Sequence, residues 1–123
     1  MEITTRIVGR CKVLDCSGKL THGPDTLALR KAVREAVQDD TVKVVLNLKK
    51  VPYVDSGGFG EIISCYVHVI NGGGNFVFLN PSEKVNKLFI NAKFLCLFEF
   101  FDDEQKALEG CEPRDSQPIK EKQ

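Results

Sequence analysis

The chain has 123 residues, enough for one ordinary core and too few for two of typical size. With 42% apolar and 28% charged residues it has the balance of a globular protein, which excludes a disordered polypeptide and a membrane-embedded one. Lysine plus arginine equals aspartate plus glutamate at 17 each, so no net field draws the chain to phosphate backbones or anionic lipid, and nucleic acid is not expected as a partner.

The N-terminal MEITTRIVGR lacks the apolar stretch of a secretory signal, and no run approaches the roughly 20 apolar residues of a bilayer-spanning helix. A cytoplasmic location without membrane association is the expectation. ITTRIVGRCKVLDCSGKL alternates apolar and polar side chains on either side of Gly9, which predicts two strands of an antiparallel hairpin, with a turn at Ser17 and Gly18. Gly23, Pro24, Asp25 and Thr26 follow, where Asp25 or Thr26 can cap a helix through LALRKAVREAVQ. Leu29, Ala32, Val33, Ala36 and Val37 share one face of that helix, and Arg30, Lys31, Arg34 and Glu35 the other. VKVVLNL, residues 42–48, has the β-branched content of a central strand covered on at least one side.

After the polar stretch VDSGGFG, residues 54–60, the positions Phe59, Ile62, Ile63, Tyr66 and Ile70 recur at helical spacing and predict the buried face of a second helix. Glu61, Ser64, Cys65 and His68 are left as its outward stripe, and Gly72, Gly73 and Gly74 stop it. NFVFLN reads as a strand. Pro81, Ser82 and Glu83 open a third helix through about Ala92, with Val85, Leu88 and Phe89 inward; CLFEFF is a last edge strand and DDEQKALEG a short last helix. Residues 112–123 carry one isoleucine and no apolar period, so residues 1–111 are expected to form one domain and the rest a flexible tail. Strands alternating with helices need parallel crossovers, which predicts an α/β domain with a mixed sheet of about four to five strands packed against about four helices.

Cys11, Cys16, Cys65, Cys96 and Cys111 are an odd set with no C-x-x-C pair, and they read as reduced thiols. Cys16, Cys65 and Cys96 lie in apolar stretches as small hydrophobic filler. Cys65 and His68 are one helical turn apart, but two ligands do not make a metal site, and neither metal nor cofactor is expected.

The stretch VDSGGFG joins a strand to a helix and admits several chemistries. Ser56 can be a simple N-cap, with the glycines allowing close packing. Phosphate cradling fits poorly, because neither glycine-rich nucleotide motif is present and Asp55 would repel an anion. A serine nucleophile fits poorly too, since Gly-x-Ser-x-Gly is absent and only His22 and His68 are available as base. A hydroxyl exposed at such a turn can also be a phosphoacceptor, and phosphorylation there adds about −1.5 to −2 charges that the helix N-terminus tolerates.

From about Ile3 to Leu108 the sequence resembles the STAS domain of bacterial anti-sigma factor antagonists. SGKLTHGPDTLALRKAV is similar to the family's Gly-x-Ile/Leu-Asp run before its first helix, and VVLNLKKVPYVDSGGFGEI to its strand followed by Asp-Ser-Ser/Thr-Gly-Leu-Gly. The glycine triplet before NFVFLN and the run PSEKVNKLFINAKF fall where the family has its later strand and helix.

The resemblance implies a non-enzymatic binding module. When unphosphorylated it would capture an anti-sigma factor that is also a serine kinase of histidine-kinase-like ATPase fold, freeing a sigma factor. Phosphorylation of Ser56 would dissolve the pair, and a protein serine phosphatase would restore it. Asp55 matches the acidic neighbour, Gly58 and Gly60 the motif glycines. The implied partner surface comprises Thr21, His22, Gly23, Asp55, Gly57, Gly58, Phe59, Glu61 and Ser64 on a monomer or weak dimer. Three positions depart from the pattern: Gly57 lacks a hydroxyl, Phe59 is larger than leucine, and Thr21 lacks the usual aspartate's charge. The alternative is a STAS scaffold that binds a transporter, a sensor or another copy of itself without phosphorylation.

Overall fold

The computed structural model describes residues 1–91 and 98–111. The opening alternation folds as read: β1 (Glu2–Val8) pairs antiparallel with β2 (Cys11–Ser17), from Glu2 opposite Ser17 to Val8 opposite Cys11. β3 (Lys43–Lys50), β4 (Asn75–Leu79) and β5 (Glu99–Phe101) then add in parallel, giving the order β1-β2-β3-β4-β5. Each parallel step needs a crossover, and α1 (Pro24–Ala36), α2 (Ser56–Asn71) and α3 (Glu83–Asn91) supply them. The expected mixed sheet with four helices is present. The expected third helix ends inside the described residues at Asn91, whereas Ala92, the start of the CLFEFF strand, Cys96 and the tail from residue 112 lie outside them.

Alternation along the strands sends Leu14, Cys16, Val44, Leu46, Leu48, Phe76 and Phe78 to the face covered by these three helices. The other face carries Val13, Val45, Val77 and Leu79, buried under Ala107 of a short α4 (Glu104–Ala107). β3 is therefore apolar on both faces, as a central parallel strand should be. Between β4, β5 and the last two crossover helices the core is aromatic: Phe78 lies 5.2 Å from Phe89 and 5.0 Å from Phe98, and Tyr66 lies 4.8 Å from Phe98, in edge-to-face or tilted arrangements that add to their burial.

Three expectations about the helices are corrected. α1 begins earlier than LALRKAVREAVQ, at Pro24, and Thr26 caps from inside its first turn, its Oγ1 accepting from the Gly23 N–H at 3.3 Å and donating to Gly23 O at 2.8 Å. Asp25 does not cap; it accepts from the Met1 ammonium at 3.0 Å and from the amide and hydroxyl of Thr21. α2 is rotated from the predicted face: Glu61, Ile62, Cys65 and Val69 are buried and Ile70 is exposed. α2 lies between two helices, so Glu61 turns to Arg30 of α1 while Phe59 and Tyr66 turn to Phe89 and Phe98, and the buried arc is wider than one stripe. Cys16 and Cys65 are buried filler, and desolvation pushes both thiols up to about 12.

Cys11 and Cys111 are not reduced thiols: a disulfide joins the start of β2 to the residues after α4, 100 positions on. Sequence spacing cannot show such a pair. Both side chains are buried, and the same corner is tied by Lys43 Nζ donating to Ala107 O and Glu109 O, and by Arg6 paired with Asp15 and Glu104. Closing a loop this long in the unfolded chain should stabilise the fold by about 3–5 kcal/mol. A thermal melt with a phosphine reductant should accordingly fall to the midpoint of a Cys11→Ala/Cys111→Ala variant, with the latter indifferent to reductant.

Candidate functional site

Two loops meet at the carboxyl ends of the central strands. The first, residues 18–23, leaves β2 and enters α1; the second, residues 51–55, leaves β3 and enters α2. Backbone hydrogen bonds join them: Leu20 N–H donates to Tyr53 O at 2.9 Å, Asp55 N–H donates to Leu20 O at 3.2 Å, and Leu20 and Val54 form a parallel bridge.

Asp55, and not Ser56, is the N-cap of α2. Its Oδ1 accepts from the Gly58 N–H at 2.7 Å, and both its oxygens accept from the His22 N–H at 3.1 and 3.2 Å. One carboxylate thus holds its own helix and the facing loop. The Gly58 amide, then the His22 amide, lower the Asp55 carboxyl below its ordinary value. Its role is structural as well as electrostatic, which the sequence reading of a surface carboxylate missed.

With the cap supplied by Asp55, Ser56 is the first helical residue and is exposed. Gly57 and Gly58 lie under the first loop. A Cβ on Gly57 would sit 2.5 Å from His22 Cβ and 3.1 Å from its Nδ1, and one on Gly58 would overlap Leu20 O. Only glycine lets the loop approach this closely. A Cβ on Gly60 would meet nothing within 4 Å among the described residues, so no contact there requires that motif glycine.

The structure therefore brings Thr21, His22, Gly23, Asp55, Ser56, Gly57 and Gly58 to one corner. Phe59 points into the aromatic core, edge-to-face with Phe89 at 5.2 Å. Ser64 is exposed two turns along α2. Glu61 departs from the expected outward stripe: it is 6% exposed, bidentate with Arg30 at 2.7 and 3.2 Å, and accepts from the Cys65 thiol. It braces α2 against α1 and has no free face for a partner. Cys65, buried on that carboxylate, diverges from exposed His68, so the two do not share a ligand site.

Sequence reasoning missed Leu20, whose backbone closes the two loops, and the ground beside the second loop. There Tyr53, Val54, Val85 and Leu88 line a shallow groove of about 230 Å³ edged by Lys84 and Lys87, with the Lys84 ammonium 5.5 Å from the Tyr53 ring centre. Periodicity carries no signal for contacts 31 positions apart.

The corner's mechanics can be checked by substitution. Gly57→Ala should destabilise by about 1–3 kcal/mol through overpacking on His22, while Gly60→Ala should stabilise by up to about 1 kcal/mol, both read by denaturant unfolding. Because the folded Asp55 carboxyl is held below its unfolded value, its contribution is present above about pH 4 and disappears as the pH falls through the folded value. The thermal midpoint of the native protein should exceed that of Asp55→Asn at pH 6, and the gap should close towards pH 2.

The sequence matches the family model of the STAS domain over residues 2–107. It is 27% identical over 97 residues to an anti-sigma F factor antagonist of Paenibacillus polymyxa, covering 78% of this chain and 82% of that protein. Among solved structures it resembles the anti-sigma factor antagonist SpoIIAA in its unphosphorylated form, with TM-score 0.75 and 23% identity over 88% of this chain and 94% of that one. SpoIIAA of Bacillus in its phosphorylated form gives TM-score 0.71 and 22% identity over 88% and 97% of the two chains. A sulfate transporter family protein of Wolinella succinogenes shares the fold as well, at TM-score 0.68 and 14% identity over 84% and 86%.

Proposed function

The chain belongs to the STAS domain family, and from that premise we propose that it is an anti-sigma factor antagonist switched by phosphorylation of Ser56. The observation that carries the reading is the division of labour at the start of α2: Asp55 caps the helix and fastens the loops, which leaves the adjacent hydroxyl exposed and without a structural duty.

The serine kinase partner docks on the corner formed by residues 21–23 and 55–58 and transfers the γ-phosphoryl of ATP to Ser56 Oγ; the hydroxyl proton is lost and ADP leaves. The product carries about −1.5 to −2 charges at the N-terminal turn of α2, beside the Asp55 carboxylate. The fold accepts them, because helix amides and dipole favour an anion there. The partner does not, since its own surface must match an added dianion next to a carboxylate already present. A loss of about 3–4 kcal/mol at the interface is two to three decades in affinity, enough to release the kinase as anti-sigma factor and return it to sigma. A phosphatase that removes the phosphoryl group resets the module. In this reading the chain is a binding module acting in the cytoplasm as a monomer or weak dimer, and the chemistry belongs to its partners. Among the described residues no helix is long and apolar enough to cross a membrane.

A second reading is favoured by the shared fold of the sulfate transporter family protein: a scaffold that binds through the same corner without modification.

Incubation with the cognate anti-sigma kinase and ATP, followed by intact-mass measurement, separates the two. One phosphoryl group should appear on the native protein and none on Ser56→Ala. Ser56→Asp should keep the native thermal midpoint while binding the kinase about a hundredfold more weakly. An unmodified native protein would leave the scaffold standing.

A further inference from the structure

Resting on the assignment of Ser56 as phosphoacceptor, we propose that His22 is a positioning residue for the modified state, its imidazole pairing with the phosphoserine and holding it against the first turn of α2.

The loop geometry fixes where the imidazole can be. Its backbone amide is tied to both oxygens of Asp55 at 3.1 and 3.2 Å, and the strand-like pairing of Leu20 with Val54 anchors the residue two positions earlier. The side chain consequently overlies Gly57: the place a Cβ would occupy on that glycine is 2.5 Å from His22 Cβ and 3.1 Å from both Cγ and Nδ1. Gly57 adjoins the acceptor serine in the helix, with Cα atoms about 3.8 Å apart. A phosphoserine side chain reaches several ångströms from its own Cα, a length comparable with this separation.

Charge favours the pairing. The carboxylates of the surrounding elements are Asp55 at the start of α2 and Asp25 in the first turn of α1, and each oxygen of both already accepts a hydrogen bond. Of the neighbouring cations, Lys84 of α3 is held over the Tyr53 ring and the Met1 ammonium is paired with Asp25. The first loop carries two exposed basic residues, Lys19 and His22, and His22 is the one whose side chain overlies Gly57, next to Ser56. A residue other than glycine at 57 would drive the imidazole away, so the two positions act together: the missing hydroxyl of Gly57 is the room in which His22 sits.

The modified protein can be made without any kinase, by incorporating phosphoserine at position 56 during translation, which separates this proposal from the partner assignment. Phosphorus NMR across pH 4 to 9 then reads the second ionisation of the phosphoserine. We expect its midpoint to lie about half a unit or more lower in the native background than in His22→Gln, and to stay low in His22→Lys, which restores a cation. Equal thermal midpoints of the unmodified forms will establish that the backbone tie to Asp55 survives each substitution. Identical phosphorus titrations of the native and His22→Gln proteins would overturn the proposal and leave Ser56 as phosphoacceptor untouched. Failure of a kinase to modify Ser56, with the titration shift present, would reject the partner reading while retaining the pairing.

Discussion

The corner that defines this molecule depends on one carboxylate. Asp55 receives the amide of Gly58 from its own helix and the amide of His22 from a loop that is 33 positions away in sequence. A helix cap alone is worth about 1 kcal/mol in typical hosts, but a cap shared between two connections also fixes their relative position. Without it the β2–α1 loop would keep the Leu20 backbone hydrogen bonds to Tyr53 and Asp55 and its packing on Gly57 and Gly58. With it, residues 21–23 and 55–58 form one surface.

That arrangement dictates where hydroxyl and glycines fall. Since Asp55 occupies the cap, the following serine enters the helix at its first position with its side chain exposed. Gly57 and Gly58 face the loop and Gly60 faces outward. Gly57 and Gly58 of VDSGGFG are thus explained by Leu20 and His22 of the same chain, whereas no contact among the described residues requires glycine at position 60.

Much of this was legible in the sequence because the signals were local. Alternation around Gly9 placed the hairpin, the apolar spacing of Leu29, Val33 and Ala36 placed the buried face of α1, and the glycine triplet ended α2 where the structure ends it. The failures share a cause, which is contact between residues distant along the chain. α2 was expected to bury the stripe through Ile70, but it packs against α1 and α3 at once, so Glu61 and Cys65 turned inward and Ile70 outward. Glu61 is tolerated there because Arg30 forks onto both its oxygens; helical spacing records the carboxylate but not its partner 31 positions upstream. Asp25 looked like a cap because it opens a helix, yet Thr21 and the chain's first residue claim it. The Cys11–Cys111 link is the extreme case, joining almost the two ends of the domain.

The position of that link bears on how the domain can be modulated. Cys11 pairs in register with Lys43 at the amino end of β3, whereas the bridge between Leu20 and Val54 lies beyond its carboxyl end. Eight strand residues rise about 26 Å, so the staple and the Ser56 corner are at opposite ends of the sheet. Among the described residues Lys43, Arg6 and Glu104 serve one end, and Asp55 and the Leu20 backbone the other. Perturbations this far apart add without coupling. Opening the disulfide should lower the stability of the whole domain and leave the geometry around Ser56 as it is, while a charge placed on Ser56 should alter that surface and leave the core as it is. The fold thereby holds the disulfide and the Ser56 corner apart by the length of β3, so that a change at one end need not reach the other.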